Sequence, residues 1–264
     1  MAHQTKNNQS IEHYAKVYRY PCGITDIVAS SSPDFREKGW ELAEDFARPG
    51  SPAKGYKGQG EDKTKRRPKA DAEDIERSMR RARAKVRRLA LANDFKWFVT
   101  LTLDQQKIDR YDPAAVVRKL NQWCSNQVKR KGLRYILVPE RHKDGALHFH
   151  GFFSDALEAR ASGHRSKTGQ EIYNLPGWTL GFTAAIEVYG DYAGAVAYVC
   201  KYIGKQGDKP AGRWYYSGGD LAEPEVFFAD LDIEELKTEY GEKVWELSVP
   251  GRKIAVVNGI KEEI

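Results

Sequence analysis

Residues 134–153 read RYILVPERHKDGALHFHGFF and predict a β-hairpin. Two apolar runs flank RHKDG, in which the Asp-Gly dipeptide at 144–145 is typical of a tight hairpin turn. Because side chains alternate between the two faces of a strand, His148 and His150 are expected to project from the same face. Glu140 ends the first strand and lies across the turn from both histidines. The stretch therefore predicts paired antiparallel strands that bring one carboxylate close to two imidazoles.

Strand and helix patterns alternate on both sides of this hairpin. In KWFVTLTL every second residue is apolar, namely Trp97, Val99, Leu101 and Leu103, and Phe98 lies on the other side with the two threonines. The next apolar stripe begins after a proline at a helix start and ends at a glycine. Hairpins mixed with helices indicate an α+β fold, an antiparallel sheet with helices packed on it. The elements expected are strands at 96–103 and 182–189, with helices at 112–132 and 191–205.

Composition divides the chain into four segments. Residues 1–47 have no assignable role, and residues 48–70 are rich in Pro and Gly and form a flexible basic linker. Residues 71–219 form the main domain with a leading basic helix, and residues 220–264 form an acidic extension. That extension has a net charge of −7 in a chain of +6, so the preceding residues carry +13. A basic body favours a polyanionic partner, of which nucleic acid is the first candidate.

The leading helix, residues 71–94, carries seven basic residues within three turns. They either form an ordinary solvated face or bind the phosphates of a nucleic acid, and charge alone does not decide between these interpretations. The candidate DNA-binding residues are Arg77, Arg80, Arg81, Arg83, Lys85, Arg87 and Arg88.

Cysteine use and hydropathy exclude several classes of protein. The three cysteines are scattered and include no Cys-x-x-Cys pair, which argues against a disulfide framework or a zinc ribbon. No apolar run approaches the roughly 18 residues of a membrane span, and the first residues lack the pattern of a signal peptide. We therefore expect a cytoplasmic protein without a membrane partner.

The two histidines and the glutamate predict a divalent-metal site. Parallel imidazoles at 148 and 150 with the carboxylate of Glu140 are a compact ligand set, and His142, closer to the turn, is a weaker candidate. The alternative is two ordinary strand histidines. Such a ligand set would also suit a hydrolytic zinc enzyme, which would leave the tyrosines described next without a role.

The stretch AYVCKYIGK, residues 197–205, repeats a Tyr-x-x-Lys pattern. At 100° per residue Tyr198, Lys201, Tyr202 and Lys205 share one stripe, opposite an apolar stripe that supplies a packed face. A phenol has a pKa near 10, so a cationic neighbourhood would favour its use as a nucleophile. These residues predict attack of a tyrosine on a metal-polarised phosphodiester, unless the tyrosines are half-buried packing residues.

Three motifs resemble those of the HUH endonucleases, specifically the rolling-circle replication initiators of phages and plasmids. They are FVTLTLD at 98–104, ERHKDGALHFHGFF at 140–153 and YVCKYIGK at 198–205. The doubled third motif is similar to the two-tyrosine initiators. The resemblance implies a central five-stranded antiparallel sheet with flanking helices, and Mg²⁺ or Mn²⁺ held by His148, His150 and Glu140. It also implies nucleophiles at Tyr198 and Tyr202, with Lys201 and Lys205 at the lysine positions of the family.

The activity implied is site-specific nicking and joining of one DNA strand through a covalent 5′-phosphotyrosine. The implied substrate is single-stranded or hairpin origin DNA in a bacterial host. No GxxxxGK[ST] motif occurs, so we expect no nucleotide cofactor, and host helicase, polymerase and single-strand-binding protein as partners. The alternatives are a single-tyrosine transposase or relaxase and a non-catalytic, metal-stabilised DNA-binding repressor.

Overall fold

The structure, a computed structural model, describes residues 12–33, 35–36, 71–249 and 251–261. These residues divide into two compact units. Residues 71–224 form the central unit, and the terminal unit combines described residues before Ala70 with those from Glu225 onward. The predicted linker at 48–70 lies outside the described residues.

The described residues contain fourteen strands and four α-helices. The strands are β1 (Glu12–His13), β2 (Ala15–Tyr20), β3 (Ile24–Ser30), β4 (Phe35–Arg36), β5 (Trp97–Leu103), β6 (Tyr135–Arg141), β7 (Leu147–Phe153), β8 (Arg160–Arg165), β9 (Glu171–Asn174), β10 (Gly181–Glu187), β11 (Tyr216–Gly218), β12 (Glu225–Ala229), β13 (Trp245–Val249) and β14 (Arg252–Lys261). The helices are α1 (Ala72–Leu91), α2 (Pro113–Lys131), α3 (Tyr192–Tyr202) and α4 (Ile233–Tyr240), which a short 3-10 helix (Gly241–Lys243) follows. None of these described helices is long and apolar enough to cross a membrane.

The central unit is built on an antiparallel sheet in the order β11-β6-β7-β5-β10-β9-β8. The predicted α+β class is confirmed. The sheet has seven strands, whereas the resemblance implies five. The extra width comes from the β8–β9 hairpin, which the sequence patterns miss because an exposed strand such as RASGHR has no apolar face to mark it.

One face of this sheet carries the main hydrophobic core. The apolar positions of β5 predicted to share a face are all buried there, and α2 packs over them with Leu120 and Trp123. Asp112 caps the start of α2, and Gly132 ends it in a left-handed conformation with φ of 65°. Gly is favoured there because it has no Cβ to clash. The buried β5 residues are Trp97, Val99, Leu101 and Leu103.

The opposite face bears α1 and α3, which contact each other. The apolar stripe of α3 is buried through Val196 and Val199, and the predicted N-cap Asp191 accepts from the Gly194 amide. The helix ends at Tyr202, earlier than the predicted end at Lys205, because Gly204 turns the chain with a φ of 78°.

The terminal unit contains a five-stranded antiparallel sheet in the order β12-β2-β3-β14-β13. Strand β3 coincides with the run ITDIVAS, and α4 covers one face of the sheet with Ile233 and Leu236. On β3 the buried Asp26 accepts hydrogen bonds from the Tyr20 hydroxyl and the Gly259 amide. Residues from both parts of the chain therefore share one small core.

Gly151 lies in the middle of β7, between β6 and β5. A Cβ at this position would come within 1.9 Å of the Ile136 carbonyl oxygen, a backbone atom held by the sheet. We therefore expect Gly151→Ala to lower the free energy of unfolding by about 1–3 kcal/mol. Chemical denaturation of the purified variant measures this loss.

Gly177→Ala is the matched control, because its added methyl group would meet only a Leu157 side-chain atom at 3.9 Å. Equal stability of the two variants would contradict the close packing of β6 against β7.

Candidate metal and tyrosine site

The hairpin of β6 and β7 brings Glu140, His148 and His150 together. Glu140 lies directly opposite His148 in the register of the two strands. The Glu140 Oε2 atom lies 3.0 Å from His148 Nε2 and 2.9 Å from His150 Nε2, and the two Nε2 atoms are 2.8 Å apart. All three residues are buried, with at most 8% of each exposed. Within the described residues they form the group able to hold a metal ion.

The spacing of these three atoms suits a small divalent cation. Two ligands at right angles around a metal with bonds of about 2.0–2.1 Å lie about 3 Å apart, so the triangle matches one face of an octahedron. Two imidazoles and one carboxylate on a face are also a known arrangement for divalent transition metals. Three lone-pair donors held this closely repel one another unless a cation or protons lie between them. The predicted ligand set is thus compatible with a divalent metal.

Burial favours the neutral, metal-binding form of both imidazoles. Desolvation first, and then the neighbouring His148, lowers the pKa of His150 to about 4. Desolvation likewise lowers the pKa of His148. Thr100 Oγ1 lies 3.1 Å from His150 Nδ1, so it can accept a hydrogen bond from Nδ1–H and leave the Nε2 lone pair directed at the cluster.

Lys205 completes the environment of Glu140. Its ammonium group donates a hydrogen bond to Glu140 Oε1, while Oε2 faces the histidines. Burial alone would raise the pKa of the Glu140 carboxyl, but the hydrogen bond from Lys205, with smaller contributions from the nearby imidazoles and the Lys205 charge, outweighs it. The net effect lowers that pKa, so the carboxylate is ionised and available as a ligand.

The two tyrosines of α3 lie over this cluster. The Tyr202 ring stacks on the His150 ring at a centroid distance of 3.9 Å and an angle of 16°. Its hydroxyl donates to the Tyr198 hydroxyl at 2.7 Å, and Tyr198 packs edge-on against Phe98. The side of α3 that carries the tyrosines therefore faces the ligand cluster, while the apolar stripe packs away from it, as the helical spacing predicts.

The expected effect of the lysines on the phenols is wrong for Tyr202. Burial first, and then the hydrogen bond with Tyr198, raise the pKa of Tyr202. The Lys205 Nζ atom lies 5.2 Å from the Tyr202 ring centroid, but its charge is paired with Glu140. Lys201 is exposed and forms no ion pair in the described part of the chain. His142, the weaker candidate ligand, is largely exposed and lies outside the cluster.

The basic residues of α1 have unequal surroundings. Arg83 donates two hydrogen bonds to the Ile203 carbonyl, at 3.1 and 2.8 Å, and so holds the end of α3. Arg81 is exposed and has no ion pair within the described residues, and Arg87 and Arg88 are half-buried. The other three form ion pairs: Arg77 with Glu73 and Asp74, Arg80 with Glu76, and Lys85 with Glu223.

Sequence reasoning missed three contributions to this site. Thr100 was detectable in principle, because it lies on the face of β5 opposite the apolar residues and pairs with His150. The contacts of Arg83 with Ile203 and of Lys205 with Glu140 join residues far apart in the chain. No local pattern signals contacts of that kind.

The central unit is an α+β domain in which a buried Glu-His-His cluster lies under a tyrosine pair. Comparison with known proteins connects this unit to DNA replication. Residues 96–207 are similar to a protein family described as replication-associated protein ORF2, and this range contains all three motifs. The match supports a Rep-type initiator of DNA replication, with DNA as its partner. Searches of curated proteins and of solved structures gave no significant match.

Thr100→Val removes the hydroxyl next to His150 and keeps the shape of the side chain. Because it frees the imidazole from its hydrogen-bond partner, we expect Mn²⁺ affinity to fall by about tenfold or more. Titration calorimetry with Mn²⁺ alone measures the change. Thr102→Val is the control, since Thr102 is exposed on the same strand. Loss of affinity in both variants to the same extent would contradict a specific role for Thr100.

Arg81→Met and Arg83→Met separate a DNA contact from a structural one. Loss of a phosphate contact lowers the slope of log affinity against log salt concentration by about 1. We expect that change for Arg81→Met, measured with labelled single-stranded DNA at several salt concentrations. Arg83→Met should instead lower the free energy of unfolding by about 1–3 kcal/mol, because two charge-assisted bonds to Ile203 are lost. The reverse pattern would contradict this assignment.

Proposed function

We propose that this chain is a replication initiator that nicks one DNA strand at an origin, forms a covalent 5′-phosphotyrosine and rejoins the strand. The observation that carries the proposal is the 2.7 Å contact between the Tyr198 and Tyr202 hydroxyls, beside the His150 ring. Because the two hydroxyls occupy nearly the same position, either can address a single phosphate without movement of α3. Such an arrangement suits a protein that uses two nucleophiles in turn.

Glu140, His148 and His150 would hold a divalent cation, Mg²⁺ or Mn²⁺, whose chemistry is to polarise the scissile phosphate. Lys205 keeps the Glu140 carboxylate ionised, and Thr100 fixes the orientation of His150. The stacked His150 and Tyr202 rings limit the movement of the phenol. These residues therefore orient the nucleophile before the substrate arrives, which is a large part of such catalysis.

The cleavage step exchanges one phosphorus–oxygen bond for another. The tyrosine oxygen forms a bond to phosphorus, the bond from phosphorus to the 3′ oxygen breaks, and the phenol loses a proton while the 3′ oxygen gains one. The free 3′-hydroxyl then serves a host polymerase, with unwinding by a host helicase. Attack of a 3′-hydroxyl on the phosphotyrosine reverses the bond changes and closes the strand.

The raised pKa of Tyr202 bears on this step. Because burial raises the pKa, the phenol is protonated at neutral pH and has to lose its proton as it attacks the phosphate. Tyr198 is 48% exposed and accepts the Tyr202 hydrogen bond, which provides a route for that proton toward solvent. Both tyrosines thus take part in the same proton path.

The test is covalent attachment to a labelled single strand from the origin of the replicon, with Mn²⁺. We expect the wild-type protein to give an adduct that survives SDS, because the phosphotyrosine bond is covalent. Tyr198→Phe and Tyr202→Phe should each retain partial cleavage, and the double variant should give none. His148→Ala should keep the fold, by circular dichroism, and lose metal-dependent cleavage.

Three outcomes would contradict the proposal or a part of it. Absence of any adduct would favour a non-catalytic DNA-binding repressor. Full loss in Tyr198→Phe with no effect of Tyr202→Phe would favour a single-tyrosine transposase or relaxase. Unfolding of His148→Ala would indicate a structural histidine. Tyr189→Phe, a change of an exposed tyrosine outside α3, is the control.

A further inference from the structure

A row of side chains crosses the central sheet from the metal-ligand cluster to an exposed aromatic ring. Cross-strand neighbours on one face follow the order Glu140, His148, Thr102, Phe182 through strands β6, β7, β5 and β10. Side chains paired in this way share a face of the sheet. With strands about 4.8 Å apart, the Phe182 backbone is about 10 Å from that of His148.

The part of this face beyond the histidines is open. Glu140 and His148 are buried, whereas Thr102 is exposed and Phe182 is 67% exposed. A single exposed phenylalanine is common on protein surfaces and needs no explanation by itself. This ring differs in its position, because the register of four strands aligns it with the candidate site.

A second row reaches the basic hairpin at the edge of the sheet. His150 pairs with Thr100, which pairs with Ala184 on β10. The pairing of Ala185 with Tyr173 places Asn174 opposite Ala184, and Asn174 pairs with Arg160 on β8. Asn174 and Arg160 are exposed. The β8–β9 hairpin, residues 160–174, contains three basic residues and one acidic residue, Glu171, and Arg160 is ion-paired with Glu158. The net positive charge at the far end of this surface suits a phosphate backbone.

We propose that this open surface, formed by Thr102, Phe182, Asn174 and Arg160, binds the single-stranded DNA next to the cleaved phosphate. Phe182 stacks on one base, and the β8–β9 hairpin meets the backbone beyond it. Base stacking on an aromatic ring tolerates any sequence, because every base has a π-face. The inference deepens the proposed function and relies on DNA being the substrate. It assigns a binding residue outside the metal cluster and α3.

The test measures binding without metal, so that cleavage does not interfere. The probe is a fluorescent oligothymidylate of about 16 nucleotides, followed by anisotropy in EDTA. We expect Phe182→Ala to weaken the affinity for the oligonucleotide by about fivefold or more, and Phe182→Trp to keep the affinity of the wild-type protein. An abasic strand of equal length should bind wild type and Phe182→Ala alike, because it has no base to stack. A DNA duplex should show no such difference either.

Tyr189→Ala is the matched control, since Tyr189 is also 67% exposed and follows the same strand. Unchanged binding by Phe182→Ala overturns the inference, as does an equal loss for Tyr189→Ala, for the abasic strand or for the duplex. Failure of the wild-type protein to bind any single strand overturns it too. Binding that depends on Phe182 in a protein that forms no phosphotyrosine upholds the inference while the proposed nuclease fails.

Discussion

The register between β6 and β7 is the constraint on which the site depends. With Glu140 opposite His148, the carboxylate and both imidazoles meet at one point on one face. A shift of one residue would move the histidines to the buried core side, because side chains alternate along a strand. Gly151 restricts the register from the other face, where β6 approaches too closely to admit a Cβ. The packing of the sheet thus fixes the chemistry on its surface.

The tyrosine helix α3 is held in position at both of its ends. Tyr192 donates from the start of α3 to the carbonyls of Ala90 and Asn93, and Arg83 holds the carbonyl of Ile203 at its end. Stacking of Tyr202 on His150 adds a contact to the sheet. Because α1 and the residues just after it supply these anchors, one of the basic residues of α1, Arg83, serves to support α3. The charge pattern alone did not decide between an ordinary solvated face and contact with phosphates through residues 77–88.

Local patterns predicted most elements of the central unit and the three residues of the candidate metal cluster. The alternation along the strands predicted that Trp97 and Val99 lie on one face of the sheet and Thr100 and His150 on the other. Burial of one face makes every second residue apolar, and this period of two is visible in the sequence. Helical spacing placed both tyrosines on one stripe. The β8–β9 hairpin left no such trace, and the end of α3 depended on a single glycine at 204. Pairings across long separations, such as Lys205 with Glu140, follow from the fold alone.

The strand pairing of the terminal unit determines when this unit can fold during synthesis. Strand β3 near the start of the chain pairs with β14, more than 200 residues later, so its sheet forms only after the last strand has emerged from the ribosome. The central unit, residues 71–224, is continuous in sequence and can therefore fold before the C-terminal strands are synthesised. Since domains generally fold as units during translation, the candidate metal and tyrosine site can be complete while the β2–β3 hairpin still lacks its outer neighbours β12 and β14. During that interval the early strands expose unpaired edges, a period in which aggregation competes with folding.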